Sequence, residues 1–343
     1  MSQIPTTLEA LGSRHLPVML PEVLAALQPE RGGIFVDGTF GAGGYTAAIL
    51  ERSKAEVIAI DRDPNAIAAG QTLLANSGGR LRLVQGTFSN LQEIIADLGH
   101  AKVDGIVLDI GVSSMQIDEA LRGFSFKSDG PLDMRMSQDG PSAADYVNEL
   151  AADDLANIIF IYGEEPRSRA IARAIVKVRT EAKLLTTFDL VKAVERATGP
   201  QRTKDRTHPA TRTFQALRIF VNAELDELAA ALCGAEQILA EGGRLVVVTF
   251  HSLEDRIVKR FFAQRSGPRP AASRHAPALA DGPNSSFSLS QRGSASVSED
   301  EANRNPRSRS AKLRFGIRTT APAIAFDAQS VGLPQYHLNA RGH

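Results

Sequence analysis

The sequence predicts an α/β protein with a mostly parallel, Rossmann-like sheet and an inserted all-helical domain. Short β-rich apolar segments alternate with helical patterns in the first third of the chain, which is typical of βαβ units. From residue 117 to about 207 the sequence has helical patterns and no convincing strand. A long helical pattern and another apolar strand follow. We therefore assign residues 1–116 and 208–343 to the sheet domain and residues 117–207 to the helical domain.

The sheet domain begins with four predicted strands, at 34–37, 57–61, 81–85 and 103–109. The helices between them are predicted from a glycine loop to about residue 50, over 65–76 and near 90–98. Ligands of such sheets bind beyond the carboxyl ends of the strands. The residues that end these strands are therefore the first candidates for a functional site.

The helical domain has four helical patterns, at 144–150, 153–161, 165–179 and 188–198. After it we predict one long helix over 209–239, because apolar residues recur there at steps of three and four. A strand at 244–250, a helix at 252–264 and a strand at 312–318 follow. Residues 266–303 are rich in Ser, Pro, Ala and Gly and have no hydrophobic period, so we predict a disordered surface insertion.

Composition indicates a cytoplasmic protein. The single cysteine, Cys233, excludes an internal disulfide framework and a multi-cysteine zinc site, and we expect no metal. Residues 1–15 have neither a basic start nor an apolar run, so no secretory signal is visible. No apolar stretch approaches the roughly 18 residues of a membrane span. We expect no contact with a membrane.

The chain is formally neutral, with 39 basic and 39 acidic residues, which argues against bulk electrostatic attraction to nucleic acid. The basic residues are unevenly distributed. Segments 165–179, 202–218 and 304–318 together hold 16 of the 39. These segments are either solvated faces or surfaces that bind an anionic partner.

A glycine loop, DGTFGAGG at 37–44, links the first strand to its helix. Such a loop allows close approach of a ligand to the backbone and to a helix N-terminus. The dinucleotide fingerprint fails, because Thr46 stands where its third glycine would be. No GxxxxGK[ST] motif is present, which argues against triphosphate hydrolysis.

Three side chains at the ends of the next strands complete a predicted nucleoside pocket. Asp61 is placed to accept hydrogen bonds from ribose hydroxyls, and Asp63-Pro64 already supplies the helix cap that Asp61 would otherwise provide. Phe88 either stacks on a purine or packs in the core. Asp109 ends an apolar strand at the same edge of the sheet.

The chain resembles the bacterial 16S ribosomal RNA cytosine-N(4) methyltransferase H family. The matching stretches run in family order from residue 15 to the last strand, and they are 15–18 (HLPV), 36–44 (VDGTFGAGG), 61–64 (DRDP), 109–114 (DIGVSS), 122–126 (RGFSF), 129–136 (DGPLDMRM), 162–165 (YGEE), 208–216 (HPATRTFQA), 250–256 (FHSLEDR) and 305–307 (NPR). So many long matches in order make chance negligible.

This resemblance implies a class I methyltransferase fold and S-adenosylmethionine as the cofactor. The implied activity is methyl transfer to the exocyclic N(4) of a cytosine in the decoding region of 16S ribosomal RNA. The cofactor positions that it implies are Gly43, Gly44, Tyr45, Asp61, Phe88, Asp109 and Gln116. Two residues depart from the family pattern, since Tyr45 replaces a usual histidine and Met115 a usual proline.

The chemistry of the implied reaction leaves the catalytic group open. The amine of cytosine is a poor nucleophile because its lone pair delocalises into the ring. An enzyme helps by aligning the amine with the methyl group and accepting its hydrogen bonds. Asp109 is the best-placed acceptor, and the alternative is that it serves the cofactor alone. His208 and His251 are further candidates, of a kind that is more commonly structural.

Candidate RNA contacts come from aromatic and basic residues. Phe124 and Phe126 either stack on an extruded cytosine or pack inside the helical domain. On the 165–179 helix the basic residues are spaced by four and share one face. The phosphate contacts predicted on these grounds are Arg169, Arg173, Lys177, Arg307 and Arg309, with Lys312 and Arg314 beside them. The expected partner is 16S ribosomal RNA within the small ribosomal subunit, and no obligate protein partner is inferred.

Three other functions fit the sequence less well. A DNA cytosine or adenine methyltransferase would normally have a Pro-Pro-aromatic run after the fourth strand, and residues 109–112 lack it. A nicotinamide oxidoreductase would need the missing third glycine. A non-catalytic protein that assembles ribosome precursors would not need an intact glycine loop with acids at the sheet edge.

Overall fold

The computed structural model describes residues 17–201, 207–267, 285–289, 293–325, 327–334 and 336. It divides into two compact units, residues 1–111 with 226–333 and residues 112–225 with 334–343. The second unit thus begins earlier and ends later than the predicted helical domain at 117–207. Its later end has a physical cause, because Asn222 Nδ2 donates to the Met134 carbonyl within this unit at 2.7 Å.

The first unit contains a mostly parallel sheet. Its strands are Ile34–Asp37 (β1), Glu56–Asp61 (β2), Leu81–Gln85 (β3), Val103–Asp109 (β4), Leu239–Thr249 (β5), Phe287–Ser288 (β6), Ala295–Ser296 (β7) and Lys312–Arg318 (β8). The order is β3-β2-β1-β4-β5-β8-β6, and β7 also pairs with β8. Strands β1 to β5 are parallel, whereas β8 runs antiparallel to β5. This is the mostly parallel, Rossmann-like sheet that the sequence predicts.

The strand order reverses between β1 and β4, and a ligand crevice forms at such a switch point. After β1 the chain moves outward through β2 and β3, and after β4 it moves outward through β5. Asp37 ends β1 and Asp109 ends β4. The topology therefore brings these two carboxyl groups to the centre of the sheet edge.

Helices of the first unit follow the predicted pattern except for one break and two helices, Leu20–Leu27 and Glu299–Arg304, that were not predicted from the sequence. They are Leu20–Leu27 (α1), Gly44–Arg52 (α2), Pro64–Ala69 (α3), Gln71–Asn76 (α4), Leu91–Asp97 (α5), Ser252–Arg265 (α13) and Glu299–Arg304 (α14). The helix predicted over 65–76 is two helices that meet at Gly70. A Cβ at Gly70 would lie 2.6 Å from the Phe40 ring, so the close approach requires glycine there.

The second unit is helical. Its helices are Ser114–Asp118 (α6), Ala143–Glu149 (α7), Ala152–Gly163 (α8), Ser168–Glu181 (α9), Thr187–Thr198 (α10) and Thr211–Asn222 (α11). Capping boxes at Ser142 and Thr186 start α7 and α10. Helices α8 and α11 approach closely at Gly163, where a Cβ would lie 2.6 Å from the Arg212 carbonyl oxygen.

The backbone of the loop before α7 is bound by a buried polar side chain. Arg122 is buried and donates to the carbonyls of Arg135 and Met136 at 2.9 and 3.0 Å. Gly123 has φ 71°, and a Cβ there would lie 2.3 Å from the Pro131 carbonyl oxygen. These contacts explain why the RGFSF and DGPLDMRM stretches need their glycines and Arg122.

The single long helix predicted over 209–239 is wrong, because the chain breaks at Ala223. Helix α11 ends at Asn222, and a second helix, Glu224–Ile238 (α12), begins after one residue with φ 49°. Left-handed backbone is unfavourable for alanine. Polar contacts hold the break in place, since Arg218 forms a bidentate ion pair with Glu224 at 2.7 and 2.8 Å.

Residues 285–289 and 293–303 depart from the predicted disorder over 266–303. They contain β6, β7 and most of α14, and Phe287 is fully buried. The ordered part is fixed by a buried ion pair between Arg265 and Glu236, whose atoms Nε and Oε2 are 2.5 Å apart. Ser286 Oγ donates to the other oxygen of Glu236 at 2.6 Å. Buried charges that are paired and bonded in this way specify one arrangement of the chain.

Several sequence expectations fall on residues outside the described ones. These are the absence of a signal at 1–15, the first residues of the 15–18 stretch, part of the basic 202–218 segment and the predicted disorder at 268–284. Among the described residues, no helix is long and apolar enough to cross a membrane.

We predict that residues 285–289 stabilise the fold and that 268–284 can be deleted without loss of stability. Phe287 packs edge-on against Phe262 at 5.5 Å between ring centroids, so Phe287→Ala should lower the free energy of unfolding by about 3–5 kcal/mol. Gly267 and Ser285 are already adjacent, since a Cβ on Gly267 would lie 2.3 Å from Ser285 Oγ. Joining them directly should therefore change stability by less than about 1 kcal/mol.

Urea denaturation followed by circular dichroism measures both effects. The deletion of 268–284 serves as the control for Phe287→Ala. Equal stability of Phe287→Ala and the unaltered chain would show that β6 is not part of the core.

Candidate active site

The glycine loop is a tight turn that aims a helix N-terminus at the sheet edge. Gly41 and Gly43 have φ 52° and 81°, in the left-handed region that glycine accepts readily. Gly43 N donates to the Phe40 carbonyl at 2.7 Å. A Cβ on Gly43 would lie 2.9 Å from the Phe40 ring, and one on Gly44 2.7 Å from Pro17. Both predicted glycine positions therefore depend on the missing side chain.

Asp61 connects the end of β2 to this loop. Its Oδ2 accepts from Gly41 N at 2.7 Å and its Oδ1 from Asp63 N at 2.8 Å. Burial raises the pKa of Asp61, while the two backbone donors oppose the shift. Each carboxylate oxygen can accept a second hydrogen bond, so Asp61 retains the capacity to bind a pair of ribose hydroxyls.

Phe88 is half-buried and lies beside the same loop. It begins a short 3₁₀ turn, Phe88–Asn90, after β3. A Cβ on Gly38 would lie 3.4 Å from Phe88 Cβ and 2.5 Å from Leu108. The ring is thus carried next to the glycine loop, where an adenine would lie if Asp61 held the ribose.

At the switch point, Thr39 joins the ends of β1 and β4. Asp109 N donates to Thr39 Oγ1 at 2.7 Å, and Thr39 N donates to Asp37 Oδ1 at 3.2 Å. The other oxygen of Asp37 accepts from Thr46 Oγ1 at 2.7 Å. Asp37 is fully buried, and this burial raises its pKa to about 6. The hydrogen-bonded pair of Asp37 and Thr46 therefore forms the buried inner side of the site.

Asp109 lies next to the pair of Asp37 and Thr46, and one oxygen of its carboxyl group is not used in a hydrogen bond within the described part of the chain. Its Oδ1 is inaccessible to solvent and has no hydrogen-bond partner among the described residues. Burial, followed by the nearby charges of Asp37 and Glu254, raises the pKa of Asp109 to about 8. The buried Tyr45 hydroxyl donates to the Val18 carbonyl. Burial also holds the pKa of Tyr45 well above its usual value.

Gln116 lies in the second unit, at the start of α6. It is buried and forms a capping box, in which Ser113 N donates to its Oε1 at 3.0 Å and Gln116 N donates to Ser113 Oγ at 3.2 Å. A contact between Gln116 and the cofactor stays a prediction.

Of the two histidines considered as proton acceptors, His251 caps α13 and His208 binds the turn before α11. His251 Nδ1 accepts from Glu254 N at 3.4 Å, and its Nε2 lies 2.8 Å from Glu254 Oε1. His208 Nδ1 accepts from Ala210 N at 3.1 Å, and its Nε2 lies 3.6 Å from Glu195. The hydrogen bonds to Nδ1 give both side chains a structural role.

The two phenylalanines proposed to stack on a base differ in their surroundings. Phe126 packs against Phe214 and His208 at 4.9 and 4.8 Å between ring centroids, which favours packing within the second unit. Phe124 is half-buried, with the Arg122 guanidinium 5.7 Å from its ring centroid. Phe124 is therefore the better of the two for stacking.

The basic residues of α9 lie on its exposed face. Arg169, Arg173 and Lys177 are exposed, whereas Ile171 and Ile175 are fully buried. Elsewhere, in the first unit, Arg307 and Arg309 are exposed beside α14. Lys312 and Arg314 instead pair with Asp255 at 3.2 and 2.8 Å, which makes them less suitable for phosphate.

Sequence reasoning missed four groups that shape this site. They are the hydroxyls of Thr39 and Thr46, the Val18 carbonyl, and Glu301, which accepts from Met19 N at 2.8 Å. Thr46 was noted only as the residue that breaks the dinucleotide motif. Glu301 gave no usable signal, because it lies in the segment that looked disordered.

Comparisons with known proteins agree on one family. A model of the MraW methylase family matches residues 12–318. A protein of Azorhizobium caulinodans named ribosomal RNA small subunit methyltransferase H is 58% identical over 337 residues, 98% of this chain and 96% of that protein. A protein of the same name from Parvibaculum lavamentivorans is 55% identical, over 93% of this chain and 94% of that protein. Another, from Methylorubrum extorquens, is 57% identical, over 94% of this chain and 93% of that protein.

We predict that Asp61→Ala weakens binding of S-adenosylmethionine by about tenfold to a hundredfold, because charge-assisted hydrogen bonds contribute about 1.5–3 kcal/mol. Asp63→Ala is the matched control. Asp63 caps α3 by accepting from Asn65 N at 3.0 Å, so its loss should cost about 1 kcal/mol of stability without changing affinity. Calorimetric titration of folded protein measures both, and equal affinities in the two variants would refute the role of Asp61.

Proposed function

The chain belongs to the MraW methylase family and is a methyltransferase that uses S-adenosylmethionine, and from this premise we propose that it methylates the exocyclic N(4) of a cytosine in 16S ribosomal RNA. The target that we propose is cytosine 1402 in the decoding region. The cytoplasm, where the small ribosomal subunit is made, is the proposed location.

The observation that carries this proposal is the unused carboxyl oxygen of Asp109 at the switch point of the sheet. A buried acceptor without a partner is costly, and such groups are found where a ligand supplies the partner. Asp61, Phe88 and the glycine loop beside it fit an adenosine that carries no phosphates. The residues present therefore suit S-adenosylmethionine.

Each residue of the site has a distinct proposed task. The backbone of Gly43, Gly44 and Tyr45 borders the cofactor, Asp61 accepts from its ribose hydroxyls, and Phe88 covers its adenine. When bound, S-adenosylmethionine supplies an activated methyl group. Asp109 accepts a hydrogen bond from the ligand group at the reacting end of the cofactor. This bond orients that ligand group and stabilises the positive charge that develops on it.

RNA is the proposed substrate because relatives at 55–58% identity over nearly the whole chain are named ribosomal RNA small subunit methyltransferases. The exposed row of Arg169, Arg173 and Lys177 supports this proposal, since it is suited to a phosphate backbone. Phe124 adds an aromatic face for an unstacked base. We propose the assembled subunit as the substrate, because selecting one cytosine among many requires shape as well as charge.

The reaction product tests the proposal directly. Small subunits from cells that lack this protein should accept one labelled methyl group when incubated with the protein and labelled cofactor. After digestion to nucleosides, the label should be in N(4)-methylcytidine. Label in 5-methylcytidine or N(6)-methyladenosine, or no label in any ribosomal substrate, would contradict the proposal.

Charge reversal on α9 tests the phosphate contacts. Changing Arg169, Arg173 and Lys177 to Glu should weaken RNA binding and reduce the slope of log affinity against log salt by about 2 to 3, because fewer counterions are released. Affinity for the cofactor should be unchanged. The measurement is RNA binding at several salt concentrations.

A matched control reverses three exposed basic residues of the first unit, Arg52, Lys54 and Lys259. This variant has the same net charge as the α9 variant. Equal losses of RNA affinity in the two variants would mean that total charge, and not the α9 face, governs binding.

A further inference from the structure

The titratable groups with the largest effects on Asp109 are acids. The titratable groups that act on it are Asp37 from β1, Tyr45 from α2, Glu254 from α13 and Glu301 from α14. Three of these are carboxyl groups and the fourth is a phenol. A further negative charge at Asp109 is unfavourable in such surroundings unless a ligand brings a positive charge.

The hydrogen bond of Tyr45 is directed away from Asp109. A phenol has one hydrogen to donate, and Tyr45 donates it to the Val18 carbonyl, which can only accept. Among the described residues, Asp109 Oδ1 is inaccessible to solvent and has no donor that would stabilise a negative charge. Burial, the largest cause, raises the pKa of Asp109 to about 8.

The donor and the product of methyl transfer differ in charge at one atom. S-adenosylmethionine has a positive sulfonium, and loss of its methyl group leaves a neutral thioether. A positive charge near a buried carboxyl group favours the ionised form, and a neutral group does not. A carboxyl group that is neutral in the empty site and ionised beside a cation therefore binds the sulfonium donor in preference to its thioether product.

We propose that Asp109 is protonated in the empty site and loses its proton to solvent when S-adenosylmethionine binds, so that the pocket prefers the sulfonium donor to its thioether product. The O–H bond of the Asp109 carboxylic acid breaks, and the carboxylate remains opposite the positive charge. This inference rests on the placement of the cofactor at Asp109 in the proposed function.

Calorimetric titration at pH 7 in buffers of different ionisation enthalpy counts the protons released on binding. The comparison is with Asp109→Asn, which is isosteric with the protonated acid and should keep the fold. Binding of S-adenosylmethionine should release close to one proton more from the unaltered protein than from Asp109→Asn. For S-adenosylhomocysteine the difference should be less than half as large.

Affinities give a second readout. Asp109→Asn should weaken binding of S-adenosylmethionine by about tenfold or more and change binding of S-adenosylhomocysteine much less. Asp97→Asn, at an exposed carboxyl group that ends α5, is the control and should match the unaltered protein. Equal proton release from the unaltered protein and Asp109→Asn, or an unchanged preference between the two ligands, would overturn the inference.

The pH dependence of the stability of the ligand-free protein is an independent test of the proton on Asp109. A carboxyl group whose pKa is higher in the folded chain than in the unfolded chain contributes stability that is lost as the pH rises toward the folded value. Between pH 6 and 8, above the pKa of Asp37 at about 6, the free energy of unfolding should fall in the unaltered protein. It should fall less in Asp109→Asn, and identical slopes would contradict the inference.

These experiments are separable from the test of the substrate. Failure to form N(4)-methylcytidine would refute the proposed RNA reaction and leave the proton count unaffected. Conversely, cofactor binding without a proton released from Asp109 would refute this inference and leave the methylation result unaffected.

Discussion

The hydrogen bond from Asp109 N to Thr39 Oγ1 is the constraint on which the site depends. It fixes the end of β4 against the turn that follows β1, where the strand order of the sheet reverses. The same threonine binds Asp37 through its backbone N–H. The buried carboxyl group of Asp37 and the half-buried one of Asp109, whose Oδ1 is inaccessible to solvent, are thereby held close together. Neither would adopt this position unless the parallel register of β1 and β4 brought the strand ends together.

The proximity of these carboxyl groups determines which ligand charge the pocket favours. Buried carboxyl groups near one another favour their neutral forms, and the pKa values of Asp37 and Asp109 are raised to about 6 and 8. A site of this kind is unsuited to phosphate, which would add negative charge. It suits a cationic ligand, and this agrees with a glycine loop that lacks the phosphate-binding motifs. The fold and the charge of the pocket thus point to the same cofactor.

Two buried polar networks stabilise the parts of the chain that regular hydrophobic patterns do not specify. In the second unit, Asn222 and Arg122 bind the backbone of the loop before α7. In the first unit, the ion pair between Arg265 and Glu236 binds residues 285–289 and the chain after β8, including Ile324 N at 3.1 Å. Removing one member of such a pair leaves an uncompensated buried charge, so both networks specify conformation as well as stability.

The sequence by itself determined the order and type of most elements, because periods of two and of three to four residues are local properties. It also placed the glycine loop, which follows a strand, and Asp61 and Asp109, which each end one, because local residues define those strands. Only the tertiary structure decided the break at Ala223, the strand at Phe287 and the contacts of Tyr45, Thr39 and Glu301. These depend on partners that are distant in sequence, such as Glu236 for Ser286 and Val18 for Tyr45. A local pattern carries no information about such partners, and the pKa of a carboxyl group follows from them.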